Sequence, residues 1–282
     1  MTTPARPARS AGTARAQPAP PIRIPAAVRL EFGRRLRAWY RKSARDLPWR
    51  RTRDPYEVLV SELMLQQTQV VRVVPKYAEF LQRFPTLASV ADSEASQVME
   101  AWEGLGYYAR ARALHRLARI ATPALPTDPA ALRALPGIGA YTAGAVASFA
   151  YERPAALVDT NVARVLTRVF TPRLDSRTAR GRRTAWAIAE TTLPRAGSTA
   201  YAHNQALIEL GALICTARVA HCTACPVRGV CKTASKSARK TAGNTACNTA
   251  GNSDAAANDR RPRHISEKQS SRYRPAGPFS MR

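Results

Sequence analysis

Four cysteines within one short segment provide the residues for a metal site. Cys215, Cys222, Cys225 and Cys231 follow the spacing C-x6-C-x2-C-x5-C. Thiolates are soft ligands, and four of them in one short loop suit an iron–sulfur cube. A zinc ribbon usually pairs two C-x-x-C knuckles across a longer gap. The alternatives to a metal site are four unrelated buried thiols or two disulfides, and disulfides need an oxidising compartment, to which nothing in the sequence points. We expect a metal site, iron–sulfur ahead of zinc, and a free thiol at Cys247 in a polar segment.

Two acidic residues, Glu62 and Asp159, lie in or next to apolar segments, where a carboxyl group can take part in catalysis. Glu62 lies in the apolar helix pattern PYEVLVSELML, where a desolvated carboxyl group has a raised pKa and can act as a general acid. Asp159, in LVDTNVARV, follows an apolar run at a predicted helix start. There it can cap the helix or stabilise a sugar cation. The alternatives are a solvated charge at Glu62 and a purely structural cap at Asp159.

A glycine-containing turn between two helix patterns predicts a helix-hairpin-helix. In LPGIGAYTAGAVASFA, Pro136, Gly137 and Gly139 form a tight turn that needs glycine freedom, and Tyr141 opens the second helix. Backbone N–H groups in such a turn can approach a phosphate at the positive end of the second helix. An ordinary connection between two helices is the alternative.

Polar and aromatic side chains follow two of the predicted helices. Gln66, Gln67 and Thr68 can read base edges or fill the space left by an extruded base. In GLGYYARARALH, two adjacent tyrosines can wedge between bases while Arg110 and Arg112 hold phosphates. The alternatives are a polar helix end for the first segment and a basic amphipathic helix with core tyrosines for the second.

A helical frame must position these residues. Between residues 25 and 231 the apolar residues recur at helical spacing, and an alternating strand pattern is absent apart from the short apolar run 155–158. The pattern predicts an all-α fold of about ten helices, one of them beginning at Pro75. Asp54, Thr127 and Asp159 are the predicted N-caps.

The charge distribution indicates a polyanion-binding protein. The 282 residues carry a formal net charge of +25, with four arginines and no acid in residues 1–24 and eleven basic against three acidic residues in 232–282. Such a distribution predicts nucleic-acid binding, although a merely soluble cationic protein is the alternative. We predict a disordered basic arm at 1–24 and a disordered basic tail at 233–282. Residues 1–24 lack the apolar stretch of a secretory signal but also fit an organellar transit peptide, and no segment reaches the length of a membrane span.

Together these segments resemble the adenine glycosylase (MutY-like) family of helix-hairpin-helix DNA glycosylases, in the iron–sulfur branch that includes endonuclease III. The resemblance covers roughly residues 25–232 and is carried by LPWRRTRDPYEVLVSELMLQQTQV, GLGYYARARALH and NQALIELGALIC. It implies a helix-hairpin-helix DNA glycosylase fold with a six-helix barrel at about 45–152. An iron–sulfur cluster domain would be formed by 25–44 and 153–232.

The resemblance also implies roles for individual residues. The four clustered cysteines would bind a 4Fe-4S cluster, and the substrate would be double-stranded DNA with adenine opposite 8-oxoguanine or guanine. Glu62 would protonate adenine N7, Asp159 would stabilise the sugar cation, Tyr141 would orient Asp159, and Tyr107 would wedge into the duplex. The other base and DNA contacts would come from Trp49, Arg50, Gln66, Gln67, Thr68, Gly137, Gly139 and Glu209.

The residue at position 141 implies the type of reaction. Related lyases carry a lysine there that forms a Schiff base, whereas here it is Tyr141 and residues 136–150 contain no lysine. The resemblance therefore implies a monofunctional glycosylase of base excision repair. Some relatives acting on G·T mismatches also have this tyrosine, so thymine removal stays an alternative, as does a non-catalytic iron–sulfur DNA-binding protein.

The sequence departs from typical family members after Cys231. The remaining residues are too few and too polar for the Nudix-like domain of those members, so we expect a weaker preference for 8-oxoguanine over guanine. We further expect a monomer that does not associate with membranes. Its expected location is the cytoplasm or nucleoid of a bacterium, or an organelle if residues 1–24 act as a transit peptide.

Overall fold

The computed structural model describes residues 22–235, and this part of the chain is all-α, as predicted. It forms no strand within that range, and one isolated bridge pairs Cys215 with Ala220. Most of the predicted arm and tail, and Cys247, lie outside the described residues. The eleven helices of the described range are α1 (Ala26–Ser43), α2 (Pro55–Leu65), α3 (Val70–Arg83), α4 (Leu87–Ala91), α5 (Ala95–Ala101), α6 (Ala109–Ala121), α7 (Pro129–Arg133), α8 (Ala140–Phe149), α9 (Thr160–Phe170), α10 (Ala179–Thr192) and α11 (Gly197–Leu213).

Helix α2 lies at the centre of one group of helices. Residues 58–64 of this helix are all buried, and a helix that is apolar on most sides belongs inside a fold. It begins where the Asp54 carboxylate accepts hydrogen bonds from the backbone N–H groups of Tyr56 and Glu57 at 2.8 and 3.0 Å. Helices α3, α6 and α8 pack around it. Glu62 is therefore held within a rigid, enclosed element.

Helix α8 connects this group to the segment that precedes α9. A Cβ atom at Gly144 would lie 2.2 Å from the Ala156 carbonyl oxygen, so the absence of a side chain lets the two backbones touch. Residues 155–158, the apolar run noted in the sequence, cross α8 as extended chain without pairing into a sheet. This crossing brings Asp159, at the start of α9, next to the hairpin.

The second group of helices consists of α1, α9, α10 and α11. Helix α11 packs on α1, α9 and α8, and α10 packs on α9. One continuous hydrophobic cluster extends through both groups. The cysteine-containing segment follows α11. Within residues 22–235, no helix combines the length and apolar character needed to cross a lipid bilayer.

Two predicted helix starts are wrong. Helix α3 begins at Val70 and contains Pro75, because its buried face outweighs the hydrogen bond that proline cannot donate. Helix α7 is capped by Asp128, not by Thr127: one Asp128 carboxylate oxygen accepts from the N–H groups of Ala130 and Ala131 at 2.9 and 3.0 Å. The short helix α4 was not predicted.

Candidate active site

Glu62 is almost fully enclosed in helix α2, with 6% of the residue exposed. Burial raises the pKa of its carboxyl group to about 7, because leaving water penalises the charged form. The charge of Asp159 raises this pKa further, whereas a hydrogen bond from Tyr141 and the charge of Arg50 lower it. A carboxyl group with a pKa near 7 can deliver a proton at neutral pH. The structure thus places Glu62 in a desolvated site and not on a solvated face.

Tyr141 joins the hairpin to this site. Its hydroxyl group forms a hydrogen bond with the Glu62 carboxyl group. Burial, and then the nearby charges of Glu62 and Asp159, raise the pKa of Tyr141 well above its ordinary value, so the phenol keeps its proton and is the donor. The charge of Asp159 is close enough to act on Tyr141 as well, and the orientation of Asp159 by Tyr141 stays a prediction.

Asp159 is the N-cap of helix α9, as predicted, and also faces the site. Its Oδ1 accepts a hydrogen bond from the Val162 N–H at 2.6 Å, and its Oδ2 accepts one from Asn161 Nδ2 at 3.0 Å. Burial raises the pKa of Asp159, and these two hydrogen bonds act to lower it. A carboxylate has about four acceptor positions, so capping the helix leaves capacity for a further partner.

Arg164 links Asp159 to the cysteine-containing segment. It donates through Nη2 to Asn161 Oδ1 at 2.8 Å and to the Gly211 carbonyl at 2.9 Å, and through Nε to the Cys215 carbonyl at 2.9 Å. Asn161 in turn donates to Asp159, so hydrogen bonds run from the carboxylate to the end of α11. Asn161 and Arg164 were not among the predicted site residues, because nothing in TNVAR separates them from ordinary helical residues.

Glu209 is the buried anion between two arginines. Its Oε2 accepts from Nη2 of Arg50 at 2.7 Å and from Nη2 of Arg45 at 2.8 Å, and its Oε1 accepts from Arg45 Nε at 2.8 Å. Burial raises the pKa of Glu209, but the hydrogen bonds from Arg45 and Arg50 outweigh this and lower it to about 2. Both oxygens already have partners, so Glu209 orients Arg50. Direct contact between Glu209 and adenine stays a prediction.

Trp49 and Arg50 occupy the same short turn but have different surroundings. Arg50 donates to Gln205 Oε1 at 3.1 Å and to the Arg45 carbonyl at 2.9 Å. Trp49 is in the hydrophobic core, edge-on to Tyr77 with the ring centroids 5.5 Å apart. Its predicted place in a base pocket is not tested by this arrangement. Sequence reasoning missed Arg45 and Gln205, whose partners lie 164 and 155 residues away along the chain.

Two loops lie beside the end of α2: residues 66–68, the glutamine loop, and residues 104–107, the tyrosine loop. Gln67 and Tyr107 have positive φ angles of 57° and 50°. Such angles are uncommon outside glycine and cluster at functional sites. Gln67 is exposed and Tyr107 is 62% exposed, while the Thr68 hydroxyl lies 3.5 Å from a carbonyl oxygen of the tyrosine loop. The two predicted recognition segments are therefore neighbours.

The hairpin turn requires glycine at one of its two positions. Gly137 has φ 78°, and a Cβ there would lie 2.5 Å from the Ala113 Cβ. Gly139 has an ordinary extended backbone, so the prediction that it supplies conformational freedom is wrong. Gly139 is exposed, and apart from its own chain neighbours nothing in residues 22–235 lies within 4 Å of the place its Cβ would take, so the start of α8 is open on this side. The first N–H groups of a helix lack partners within the helix. Gln66 reaches this helix and donates to the Thr142 hydroxyl at 3.3 Å.

The four clustered cysteines form no disulfide with one another and line one cavity of about 270 Å³. They are Cys215, Cys222, Cys225 and Cys231. Arg168 approaches this cavity and donates to the Cys215 Sγ at 3.4 Å. Within residues 22–235, no three His, Cys, Asp or Glu side chains are arranged closely enough to hold a metal ion as they stand. Four soft ligands around a cavity fit a cluster of iron and sulfide.

The chain is similar in sequence and in fold to known DNA repair proteins. Residues 60–190 match the family model for the HhH-GPD superfamily base excision DNA repair protein. The chain is 43% identical over 197 residues to the adenine DNA glycosylase of Mycolicibacterium smegmatis, covering 68% of this chain and 66% of that protein. It is 36% identical over 209 residues to the adenine DNA glycosylase of Buchnera aphidicola, covering 72% of this chain and 58% of that protein. A solved thermostable thymine-DNA glycosylase matches with a TM-score of 0.68 at 29% identity, covering 74% of this chain and 98% of that one.

The fold and the site define a helix-hairpin-helix protein of the base excision repair superfamily. Within that superfamily, the chain belongs to the adenine DNA glycosylase (MutY-like) family. The chain spans 58% of the Buchnera relative and 66% of the Mycolicibacterium relative.

Proposed function

We propose that the protein is a monofunctional adenine DNA glycosylase that hydrolyses the N-glycosidic bond of adenine opposite 8-oxoguanine or guanine. The observation that carries this proposal is the pair of carboxyl groups at one site, Glu62 with a pKa of about 7 and Asp159 held by two donors. Cleavage through an oxocarbenium-like transition state uses one protonated and one ionised carboxyl group. Two relatives of the family are named adenine DNA glycosylase.

Glu62 is the general acid in this mechanism. In its protonated form it donates to N7 of the extruded adenine, which draws electrons into the base and weakens the bond to the sugar. The carboxylate left behind is stabilised by the Tyr141 hydroxyl and by the positive charge of Arg50, both of which favour its ionised form. Glu209 contributes indirectly by holding Arg50 at 2.7 Å.

Asp159 stabilises the sugar as positive charge develops on it. Its carboxylate is held by the Val162 N–H and the Asn161 amide, so it needs little reorganisation when the cation forms. A partly buried carboxylate interacts more strongly with a cation than one in bulk water. Addition of water to the sugar then leaves an abasic site.

The strand stays intact because the site offers no amine. Tyr141 hydrogen-bonds Glu62 where a lyase would carry its lysine, and a phenol forms no Schiff base. The lysines of residues 22–235 are Lys42 at the end of α1, Lys76 paired with Glu79 at 2.8 Å, and Lys232 after the last clustered cysteine. Borohydride should therefore trap little covalent complex with an abasic duplex, and strong trapping would refute monofunctional chemistry.

Recognition of the duplex uses the surrounding elements. The N–H groups at the open start of α8 bind a phosphate next to Gly139. The adenine leaves the stack, Tyr107 fills the gap, and Gln67 and Thr68 contact the opposite base. The four clustered cysteines would hold a 4Fe-4S cluster, which when bound cross-links the segment that follows α11.

Thymine release from G·T mismatches is a second candidate function. It is favoured by the TM-score of 0.68 and 29% identity to a thymine-DNA glycosylase. Tyr141 is compatible with either base, because it acts on Glu62 and not on the target.

Base release from duplexes carrying A·8-oxoguanine, A·G, A·C or G·T pairs separates the candidates. We expect adenine release from the first two and no thymine from the last. Glu62→Gln should lower adenine release by roughly a thousandfold while duplex binding is retained, because the amide cannot donate the proton. Glu57→Gln, on the same helix but partly exposed, is the matched control and should stay active. Thymine release alone would support the second candidate, and no release from any duplex would refute both.

A further inference from the structure

Arg110 is buried in α6, with 8% of the residue exposed, and does not face solvent as a phosphate-binding cation would. Its Nη1 donates to the carbonyl oxygens of Leu63, Met64 and Gln66 at 2.7, 2.9 and 2.7 Å. Leu63 and Met64 lie in the last turn of α2, where carbonyl groups lack partners within the helix. The guanidinium group therefore caps the helix that carries Glu62.

The other nitrogens of Arg110 bind both loops beside α2. Nη2 donates to the carbonyl oxygens of Gly106 and Leu105, at 2.8 and 3.3 Å, in the tyrosine loop. The same nitrogen donates to the Thr68 hydroxyl at 3.3 Å in the glutamine loop, and Nε donates to the Tyr107 carbonyl at 3.4 Å. One rigid, planar group thus spans the two segments that carry the predicted wedge and the predicted opposite-base contacts.

The charge of Arg110 makes this arrangement hard to distort. Its recorded acceptors within residues 22–235 are carbonyl and hydroxyl oxygens, and the rings of Trp102 and Tyr107 lie 5.6 and 5.5 Å from it. A buried charge that loses its hydrogen bonds is strongly destabilising. Moving either loop away removes acceptors from the group that also holds the other loop.

Both loops depend on outside support for their shape. Gly104 and Gly106 have φ angles of 84° and 70°, and the non-glycine residues Gln67 and Tyr107 also have positive φ. Glycine adopts such angles freely, but at Gln67 and Tyr107 a positive φ persists only where surrounding contacts impose it. Arg110 supplies such contacts to both loops at once.

We propose that Arg110 is the positioning residue that couples wedge insertion to recognition of the opposite base. This inference rests on the proposed glycosylase function. The coupling works through the guanidinium group that both loops share. When Gln67 and Thr68 face the correct opposite base, Arg110 holds the tyrosine loop in the position in which Tyr107 enters the duplex. An incorrect opposite base displaces the glutamine loop, and because Arg110 joins the two loops, Tyr107 is withdrawn as well.

The test compares Arg110→Met and Arg110→Lys with Arg119→Met, an exposed arginine on the same helix. Adenine release is measured opposite 8-oxoguanine, opposite cytosine and opposite an abasic analogue, where there is no base to read. In Arg110→Met the ratio of release opposite 8-oxoguanine to release opposite cytosine should fall about tenfold, the effect of losing one charge-assisted hydrogen bond. Release opposite the abasic analogue should stay within about threefold of wild type, and Arg119→Met should match wild type throughout.

Arg110→Lys keeps the charge but concentrates its donors at one point, so it cannot span both loops. It should melt below wild type but above Arg110→Met, because the charge and part of its hydrogen bonding remain, and it should still lose discrimination. It carries the test if the Met variant does not fold. Equal losses of release on all three substrates would indicate a purely structural role for Arg110. Full discrimination in Arg110→Lys would indicate that only the charge matters. Either result would overturn the proposal.

Fluorescence of 2-aminopurine in place of adenine, opposite 8-oxoguanine, reports base extrusion without chemistry. Binding of the wild-type protein should raise this fluorescence, and binding of Arg110→Met or Arg110→Lys should raise it much less. A rise of equal size in the variants would refute the coupling. A wild-type protein that extrudes the probe but releases no adenine would count against the proposed function alone.

Discussion

Glu62→Gln should make the protein more stable at alkaline pH, because burial displaces the pKa of this carboxyl group from 4.5 to about 7. Between those values the folded chain keeps a proton that the unfolded chain has released. A wild-type contribution to the free energy of unfolding is therefore present below about pH 4.5 and is lost as pH rises through about 7. Integrated from pH 5 to pH 8, the loss is about 2–3 kcal/mol. Glutamine does not titrate, so the Glu62→Gln variant does not lose this stability as pH rises.

Thermal or denaturant unfolding at pH 5 and pH 8 measures this difference. The stability of Glu62→Gln relative to wild type should increase by about 2–3 kcal/mol between the two pH values, or about 5–10 °C in Tm for a folded region of this size. Groups that titrate in both proteins and lie away from Glu62 cancel in the comparison. Glu57→Gln on the same helix should show no such gain. A relative stability of Glu62→Gln that is constant with pH, or that falls toward pH 8, would refute the view that Glu62 is protonated and desolvated in the folded protein.

Other substitutions test the surrounding groups. Tyr141→Phe removes a hydrogen bond that lowers the pKa of Glu62, so a pH–rate series should show the alkaline limb of base release moving up by about one pH unit. Gly137→Ala should destabilise the fold by about 2 kcal/mol in denaturant unfolding, because φ is 78° and the new Cβ would lie 2.5 Å from the Ala113 Cβ. Gly139→Ala places its methyl group in open space, so it should fold normally but weaken duplex binding at the start of α8. Metal analysis should find less bound iron in Cys222→Ser than in wild type and no change in Cys247→Ser.

The sequence was sufficient for features set by local chemistry. Glu62 has apolar neighbours on its helix, so it had to be either a desolvated carboxyl group or a solvated charge on the one exposed face. The structure shows that it is buried. Asp54 and Asp159 were predictable as N-caps because their carboxylates bind N–H groups two or three residues away. The extended run 155–158 was recognisable by its apolar composition, although its passage across α8 was not.

Features that depend on distant residues could not be read from the sequence. Arg45 meets Glu209 across 164 residues, and no local pattern marks either as the partner of the other. Arg110 lies in a basic segment that favours solvent or phosphate, yet its guanidinium group is buried among carbonyl oxygens from the end of α2. Pro75 marked a helix start by local rules, but tertiary packing continued the helix through it.

The central claim is that protonated Glu62 drives adenine release at a site that leaves the strand intact. The single-turnover rate of adenine release from an A·8-oxoguanine duplex, followed across pH, tests it most directly. The account predicts free adenine, an unbroken strand with an abasic site, and a rate that falls about tenfold per pH unit above a pKa of about 7. A rate that is constant or rising above neutral pH, or strand cleavage in step with adenine release, would contradict it.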